Sequence, residues 1–356
     1  MKKKVLVLMS GGIDSSLAAY ILKKSNYEVI GCTMRLFLCK KNTLEKQCCS
    51  PEDINMARRT ANELGIKHYV IDKRDVFDKY VIENFVSEYL NGRTPNPCMI
   101  CNMKIKFDEM LKFAKGLGCD YIATGHYAII GKCKSKYLLK KGIDETKDQS
   151  YFLYGLTQKN LPHILFPLGD YKKVEIRKMA NKLGLKVADK KESQEICFIE
   201  DSNYHEFIKI RNKKDIKKGN FIDTSGKILG VHKGVPFYTV GQRHGLGISV
   251  GYPVYVTKIN SRKNEIIIGK KEDLFDKKLI IKDLSWISVP SKLQFSAYVR
   301  IRYRHKESEA KIKLLGNNKV EVIFRKPQMS ITSGQSAVFY KKDIVLGGGI
   351  IEKVTK

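Results

Sequence analysis

Short apolar runs alternate with amphipathic stretches through roughly the first 200 residues of this chain. The runs 5–9, 28–34, 68–72 and 121–124 read as buried strands alternating with helical segments, which predicts an α/β parallel sheet. Ser50-Pro51-Glu52-Asp53 starts a helix well, with a hydroxyl cap, a proline in the first turn and acids at the positive end, and Gly65 ends it. Further helices are expected over 76–90 and 104–117. Between these two, Asn91-Gly92-Arg93-Thr94-Pro95-Asn96-Pro97 predicts an irregular loop at the mouth of the sheet, because prolines and glycine break regular structure.

Downstream the pattern changes. Residues 201–275 combine a basic run at 209–214 with many glycines and suggest a small mixed domain. From 276 onward period-2 alternation dominates, at 297–303, 310–315, 320–324 and 337–340, and a small β-barrel is the natural reading. Arg300, Arg302 and Arg304 would fall on one side of the first of these strands and form a basic stripe. Gly347-Gly348-Gly349, set between apolar pairs, reads as a bend in a barrel strand. The expected fold class is α/β: a Rossmann-like parallel-sheet domain over 1–200, a small mixed central domain over 201–275, and a C-terminal β-barrel over 276–356.

Composition narrows the function. No apolar run in the 356 residues approaches the roughly 20 that a membrane helix needs, so no membrane partner is expected. The apolar start ends at Met9 and carries no Arg-rich transit pattern, so a cytoplasmic, bacterial-type protein is expected. Nine cysteines, an odd number unevenly spread, favour reduced and partly reactive thiols over a disulfide framework. The formal net charge of +29 suits a polyanionic partner. Yet 53 lysines against 13 arginines also fit a general compositional bias, so the positions of arginine and aromatic residues must decide.

The most telling motif is Ser10-Gly11-Gly12-Ile13-Asp14-Ser15-Ser16, directly after the first apolar run. Two glycines allow a tight turn with inward N–H groups, Asp14 or Ser15 could cap the next helix, and the positive end of that helix would face a bound anion. The chain lacks GxxxxGK[ST], so no motif lysine reaches the terminal phosphates. SGGxDS after a strand resembles the signature of the PP-loop ATP pyrophosphatases, which convert ATP to AMP and pyrophosphate while adenylating a substrate oxygen. Cys98-Met99-Ile100-Cys101 precedes a helix, where the dipole lowers thiol pKa, and Lys104 and Lys106 would add to that effect. Cys197, far off in sequence, makes a sulfur-relay partner. A zinc site would need a second ligand pair that the chain lacks, and Cys48-Cys49 reads as structural.

Together with Thr94-Pro95-Asn96-Pro97, Cys101-Asn102, Ile105-Lys106-Phe107, Thr124-Gly125-His126-Tyr127, Lys147-Asp148-Gln149-Ser150-Tyr151-Phe152, Ile196-Cys197-Phe198-Ile199, Gly241-Gln242-Arg243, Arg302-Tyr303 and Gly334-Gln335-Ser336, the chain resembles the tRNA-specific 2-thiouridylase family over nearly its whole length. The resemblance implies a three-domain enzyme that uses ATP, with magnesium shielding charge, and a persulfide to exchange the 2-oxygen of the wobble uridine of tRNA for sulfur. It implies ATP contacts at Leu8, Met9, Ser10, Gly11, Gly12, Ile13, Asp14, Ser15, Met34 and Gly125, a persulfide on Cys197, and Cys101 as the nucleophile that pairs with Cys197. It implies target-base contacts at Asn96, Pro97 and Cys98, and tRNA contacts at His126, Lys147, Asp148, Gln149, Arg302, Tyr303 and Gln335. A cysteine desulfurase or relay protein would supply sulfur, and monomer is the default state.

One familiar form of the family carries aspartate where this chain has Cys98. That third thiol opens a second route, in which Cys98, Cys101 and Cys197 hold an iron–sulfur cluster. Asp14 is open between magnesium binding and capping. Two other function classes share part of the pattern: a small-molecule PP-loop pyrophosphatase, which needs no basic barrel or paired thiols, and a non-catalytic RNA-binding module, which needs no ATP loop.

Overall fold

A computed structural model describes residues 2–37, 51–185, 196–199, 203–212 and 215–355. The expected cap at Ser50, the pair Cys48-Cys49 and the end of the basic run at 213–214 lie outside the described residues.

The chain begins with β1 (Lys4–Leu8), α1 (Ile13–Lys24), β2 (Glu28–Arg35), α2 (Pro51–Glu63) and β3 (Lys67–Asp72). Two long helices follow, α3 (74–90) and α4 (97–116), then β4 (Tyr121–Ala123), the hairpin β5 (Ala128–Cys133) and β6 (Lys136–Lys141), the short β7 (Ile164–Leu165) and α5 (Lys173–Lys182). Five of these strands form a parallel sheet in the order β3-β2-β1-β4-β7. In β1 alternate residues serve opposite faces: Val5 and Val7 join Leu17 and Ala18 of α1 in one core, while Leu6 and Leu8 join Phe85 and Ile105 of α3 and α4 in the other. The expected strands are all present, and the sheet is the Rossmann-like one anticipated.

Helix α4 departs from expectation by starting at Pro97, not Lys104. Pro97 occupies the first turn, where a missing N–H costs nothing, and the Asn96 side chain caps it by accepting from Met99 N at 3.3 Å. The proline expected to forbid helix starts one. Both long helices contain widened stretches of i→i+5 geometry, Asp78–Ile82 in α3 and Cys101–Glu109 in α4, and these pack against each other.

Helix α6 (Tyr204–Arg211) leads into a central mixed sheet of β8 (Gly219–Ile222), β9 (Ile228–His232), β10 (Tyr255–Asn260) and β11 (Glu265–Gly269), in the order β10-β11-β8-β9. The last part is a closed antiparallel barrel of β12 (Phe275–Trp286), β13 (Gln294–Arg300), β14 (Ser308–Gly316), β15 (Lys319–Met329), β16 (Ser336–Lys341) and β17 (Ile344–Thr355). Closure comes from β12, which pairs with both β15 and β17. Gly347-Gly348-Gly349 lies inside β17, as expected of a barrel strand. The arginine stripe is corrected: β13 ends at Arg300, and 301–305 is a turn, so the three arginines do not share a strand face. Another feature went unforeseen. The β5–β6 hairpin of the first domain pairs with β17, extending the barrel sheet into the catalytic domain.

Candidate active site

The glycine loop lies at the carboxyl end of β1, where strand order reverses between β2 and β4, the crevice in which open α/β sheets bind ligands. Gly11 has φ +70°, and a Cβ there would sit 2.3 Å from the Asp53 carbonyl oxygen, so only glycine fits the turn. Thr33 Oγ1 donates to Met9 O at 2.7 Å and Met9 N to Cys32 O at 2.8 Å, which pins the start of the loop. Gly12, rather than Asp14 or Ser15, is the N-cap of α1, so the cap residue offers no side chain to the first-turn N–H groups. Ser15 Oγ turns back instead, accepting from Ser10 N and donating to Gly12 O. An uncapped amino end leaves first-turn N–H groups for an anion.

Asp14 does not cap α1. Lys173 Nζ donates to both its oxygens at 2.7 and 2.8 Å, and Tyr127 OH donates to Oδ1 at 2.7 Å. In this arrangement both carboxylate oxygens are already engaged, by an ammonium and a phenol. Gly125, expected against the adenosine, packs on the loop itself: a Cβ there would lie 2.8 Å from the Asp14 carbonyl carbon. Met34 is buried at the end of β2 beside Leu8 in the same core, and Ile13 is buried on the opposite side. Lys173 and Tyr127 were not singled out from the sequence as the partners of Asp14. The available signal was a lysine opening a helix, against the macrodipole.

Cys98 is exposed in the first turn of α4 and Cys101 is buried in the second. Cys197 is half-buried and packs against the core that contains Cys101. Its neighbour Phe198 anchors that segment against Phe77 and Phe85 of α3, at ring distances of 5.6 and 5.1 Å, and α3 packs on α4. Among the described residues no three His, Cys, Asp or Glu side chains gather as a metal-holding group. Cys98, Cys101 and Cys197 therefore do not fit as cluster ligands in this arrangement. Burial pushes the Cys32 thiol up to about 12 and raises Cys119 too, which removes both as nucleophiles.

Several of the residues expected to touch tRNA, Asp148, Gln335 and Tyr303 among them, are built into the junction between the first domain and the barrel. Asp148 is 2 % exposed; it accepts from Gly142 N, Ser150 N and Ser150 Oγ and pairs with Arg300 at 3.2 Å. Arg300 also pairs with Glu307, which in turn bonds Lys141. Gln149 Oε1 accepts from Tyr127 N, and Gln335 Nε2 donates to the carbonyls of Thr94 and Pro95. Arg302 donates to Met329 O, and Tyr303 packs on Phe152 at 4.5 Å. Lys147 is half-buried in the turn before Asp148, its N–H bonded to Asp144 O. His126 sits against Phe107 and Phe166 with Nδ1 2.6 Å from Thr124 Oγ1, and desolvation, helped by Lys106, holds its pKa well below the usual value. Asn96 Nδ2 donates to Ser336 Oγ of the barrel at 3.0 Å. Asn96 also lines a cleft of about 130 Å³ with Arg93, Met99 and Lys282, beside the buried Pro97.

Three family descriptions match in series: "tRNA methyl transferase HUP domain" over residues 3–201, "tRNA methyl transferase PRC-barrel domain" over 205–270 and "Aminomethyltransferase beta-barrel domain" over 276–351. The tRNA-specific 2-thiouridylase MnmA of Clostridium beijerinckii is 49% identical over 99% of this chain and 100% of its own length. That of Clostridioides difficile is 50% identical over 99% of each chain. Among solved structures, a 4-thiouridine synthetase in complex with RNA and bound ATP superposes with a TM-score of 0.36 at 17% identity, over 55% of this chain and 45% of the other. With half its residues shared with such relatives from end to end, the chain belongs to the tRNA-specific 2-thiouridylase family.

Proposed function

We propose that this enzyme uses ATP to replace the 2-oxygen of the wobble uridine in tRNA with sulfur, releasing AMP and pyrophosphate. A uracil carbonyl oxygen is a poor leaving group, and adenylation makes it AMP. The Ser10–Ser15 loop holds the phosphates on the uncapped end of α1, with Leu8, Met9 and Met34 beneath the nucleotide. Magnesium, when present, supplies charge neutralisation on the phosphates, and Asp14 is not assigned to it.

Sulfur travels by persulfide rather than by a cluster. The terminal sulfur of a Cys197 persulfide attacks C2, and the C2–O bond breaks with its electron pair leaving on AMP. The Cys101 thiolate then attacks Cys197 Sγ, which forms the Cys101–Cys197 disulfide and frees the thiolated base. An external thiol reductant restores both thiols. The carrying observation is that both cysteines pack on one core, Cys197 through the aromatic anchor of Phe198. Asn96, Pro97 and Cys98, next to the cleft at the domain junction, receive the flipped base. Arg302 and Tyr303 contact tRNA from the barrel and Lys147 from the first domain, with His126, Asp148, Gln149 and Gln335 shaping that surface. The sulfur comes from a cysteine desulfurase or a relay protein, the enzyme works as a monomer, and it acts in the cytoplasm. No helix among the described residues is long and apolar enough to cross a membrane.

The test is a thiolation assay with ATP, magnesium, a persulfide donor and unmodified tRNA, read as retarded migration in a mercury-containing gel. Wild type should thiolate, and Cys197→Ser and Cys101→Ser should not. Activity of Cys197→Ser with a persulfide donor would overturn the relay. Gain of a methyl group without sulfur exchange, by mass spectrometry of the wobble nucleoside, would overturn the whole reading in favour of methyl transfer.

A further inference from the structure

The sequence Cys98-Met99-Ile100-Cys101 carries one more thiol than the sulfur exchange uses. Cys98 is exposed in the first turn of α4, Cys101 is 9 % exposed one turn later, and Cys197 is half-buried against the same core. Cys101 N donates to the carbonyls of both Pro97 and Cys98, so residues 98 and 101 lie one tight turn apart. Three residues' separation on a helix puts the two Cα atoms about 5 Å from each other, inside the span that a disulfide bridges. That turn is held at both ends of Asn96, which caps it by accepting from Met99 N and donates its amide to Ser336 Oγ of the barrel. The turn carries no acidic side chain, and Lys104 and Lys106 follow it, a setting that favours thiolate.

Contact with a base does not by itself account for Cys98. A thiol is a weak hydrogen-bond donor and acceptor, and an exposed one oxidises readily. The two working thiols have the opposite difficulty. A Cys101–Cys197 disulfide would join a buried sulfur to a half-buried one whose neighbour Phe198 is wedged against Phe77 and Phe85. Thiol–disulfide exchange needs the attacking sulfur to reach the disulfide, and burial restricts that approach for a reductant in solvent. Of the three thiols Cys98 is the exposed one, and it is also one turn from Cys101.

We propose that Cys98 is a resolving thiol: after each thiolation it opens the Cys101–Cys197 disulfide and carries the oxidation to the protein surface. The Cys98 thiolate attacks Cys101 Sγ. A Cys98–Cys101 bond forms, the Cys101–Cys197 bond breaks, and its electron pair leaves on Cys197 Sγ, which takes up the proton that Cys98 lost. A dithiol reductant then attacks Cys98 Sγ, and closure of the reductant's own disulfide returns Cys98 and Cys101 as thiols, with two electrons and two protons supplied by that dithiol. Cys197 is thereby free for the next persulfide before the reductant arrives. Cys98 acts after the thiolated base has left, so the step does not compete with base binding. This rests on the reading that sulfur exchange leaves a Cys101–Cys197 disulfide.

The test is to find the disulfide after one turnover. Enzyme loaded with persulfide and freed of donor is mixed anaerobically with ATP, magnesium and unmodified tRNA without reductant, then alkylated with iodoacetamide and mapped by peptide mass spectrometry. Wild type should give a Cys98–Cys101 disulfide with Cys197 alkylated. Cys98→Ser should stop at Cys101–Cys197, and with a protein dithiol reductant present it should lose its later cycles relative to its own first one. Cys197→Ser treated alike should show no disulfide, which separates resolution from chance oxidation. The wild-type readout stands whether or not serine weakens base binding. A Cys101–Cys197 disulfide as the end state of wild type, a Cys98–Cys101 disulfide in Cys197→Ser, or a Cys98→Ser enzyme that keeps its first-cycle rate would overturn the proposal and leave the relay intact. Thiolated tRNA with no disulfide in the enzyme would sink both.

Discussion

The nucleotide loop and the domain junction use polar residues in opposite ways. At the loop, α1 has glycine at its cap position, so the cap residue places no side chain on the first-turn N–H groups. At the junction nearly every polar side chain is spent on the protein: Asp148, Gln149, Gln335 and Asn96 all bond within the chain, several of them across to the barrel. Backbone N–H groups at a strand-to-helix turn make a site by local geometry, whereas a closed interface between domains forms only by satisfying the polar groups it buries.

The most forceful way to break this contrast is Asp148→Asn. If Asp148 is a bolt, the change removes a carboxylate from a buried pair with Arg300, which is 12 % exposed, and should cost about 3 kcal/mol in urea unfolding. An Asp148 that only touched RNA would leave unfolding unchanged. At the loop, Gly11→Ala should cost about 1–2 kcal/mol from its left-handed backbone alone, and the contact with Asp53 O should abolish the rise in melting temperature that ATP gives wild type. A variant still stabilised by ATP would mean that the loop is not the phosphate site.

Ser336→Ala sharpens the picture at the junction. Ser336 Oγ accepts from Asn96 and is 3.3 Å from the Tyr154 hydroxyl, so its loss should cost about 1–2 kcal/mol and raise the susceptibility of the junction to limited proteolysis. The smallest expected effect is that of acid. His68, His126, His205, His232 and His305 all have pKa values lowered by burial, so the unfolded chain binds protons that the folded one refuses. Stability should therefore be full above the ordinary histidine pKa of about 6.5 and fall as pH drops below it, measurable as a declining denaturation midpoint. A midpoint that holds steady down to pH about 5 would contradict the burial of these rings.

Local pattern carried much of the architecture. Alternation in Val5–Leu8 marks a strand buried on both faces, the glycine pair marks the turn after it, and the barrel strands follow period 2. Where local reading failed, a contact distant in sequence was responsible. Pro97 looked like a breaker because its cap, Asn96, is itself steadied by Ser336, 240 residues away. Arg300 looked like a solvent stripe because Asp148 and Glu307, its partners, come from a different domain and a later turn.

By itself the sequence determined the parallel sheet followed by barrel strands, the glycine turn after β1 and the placing of the cysteines along the chain, since these depend on residue type and near-neighbour spacing. Only the tertiary structure decided that Asp14 is matched to Lys173, that the β5–β6 hairpin extends the sheet of an already closed barrel, and that Asn96 and Gln335 tie the first domain to the barrel. The physical reason is that a side chain's hydrogen-bond and charge partners are chosen by folding, across separations that no local pattern encodes.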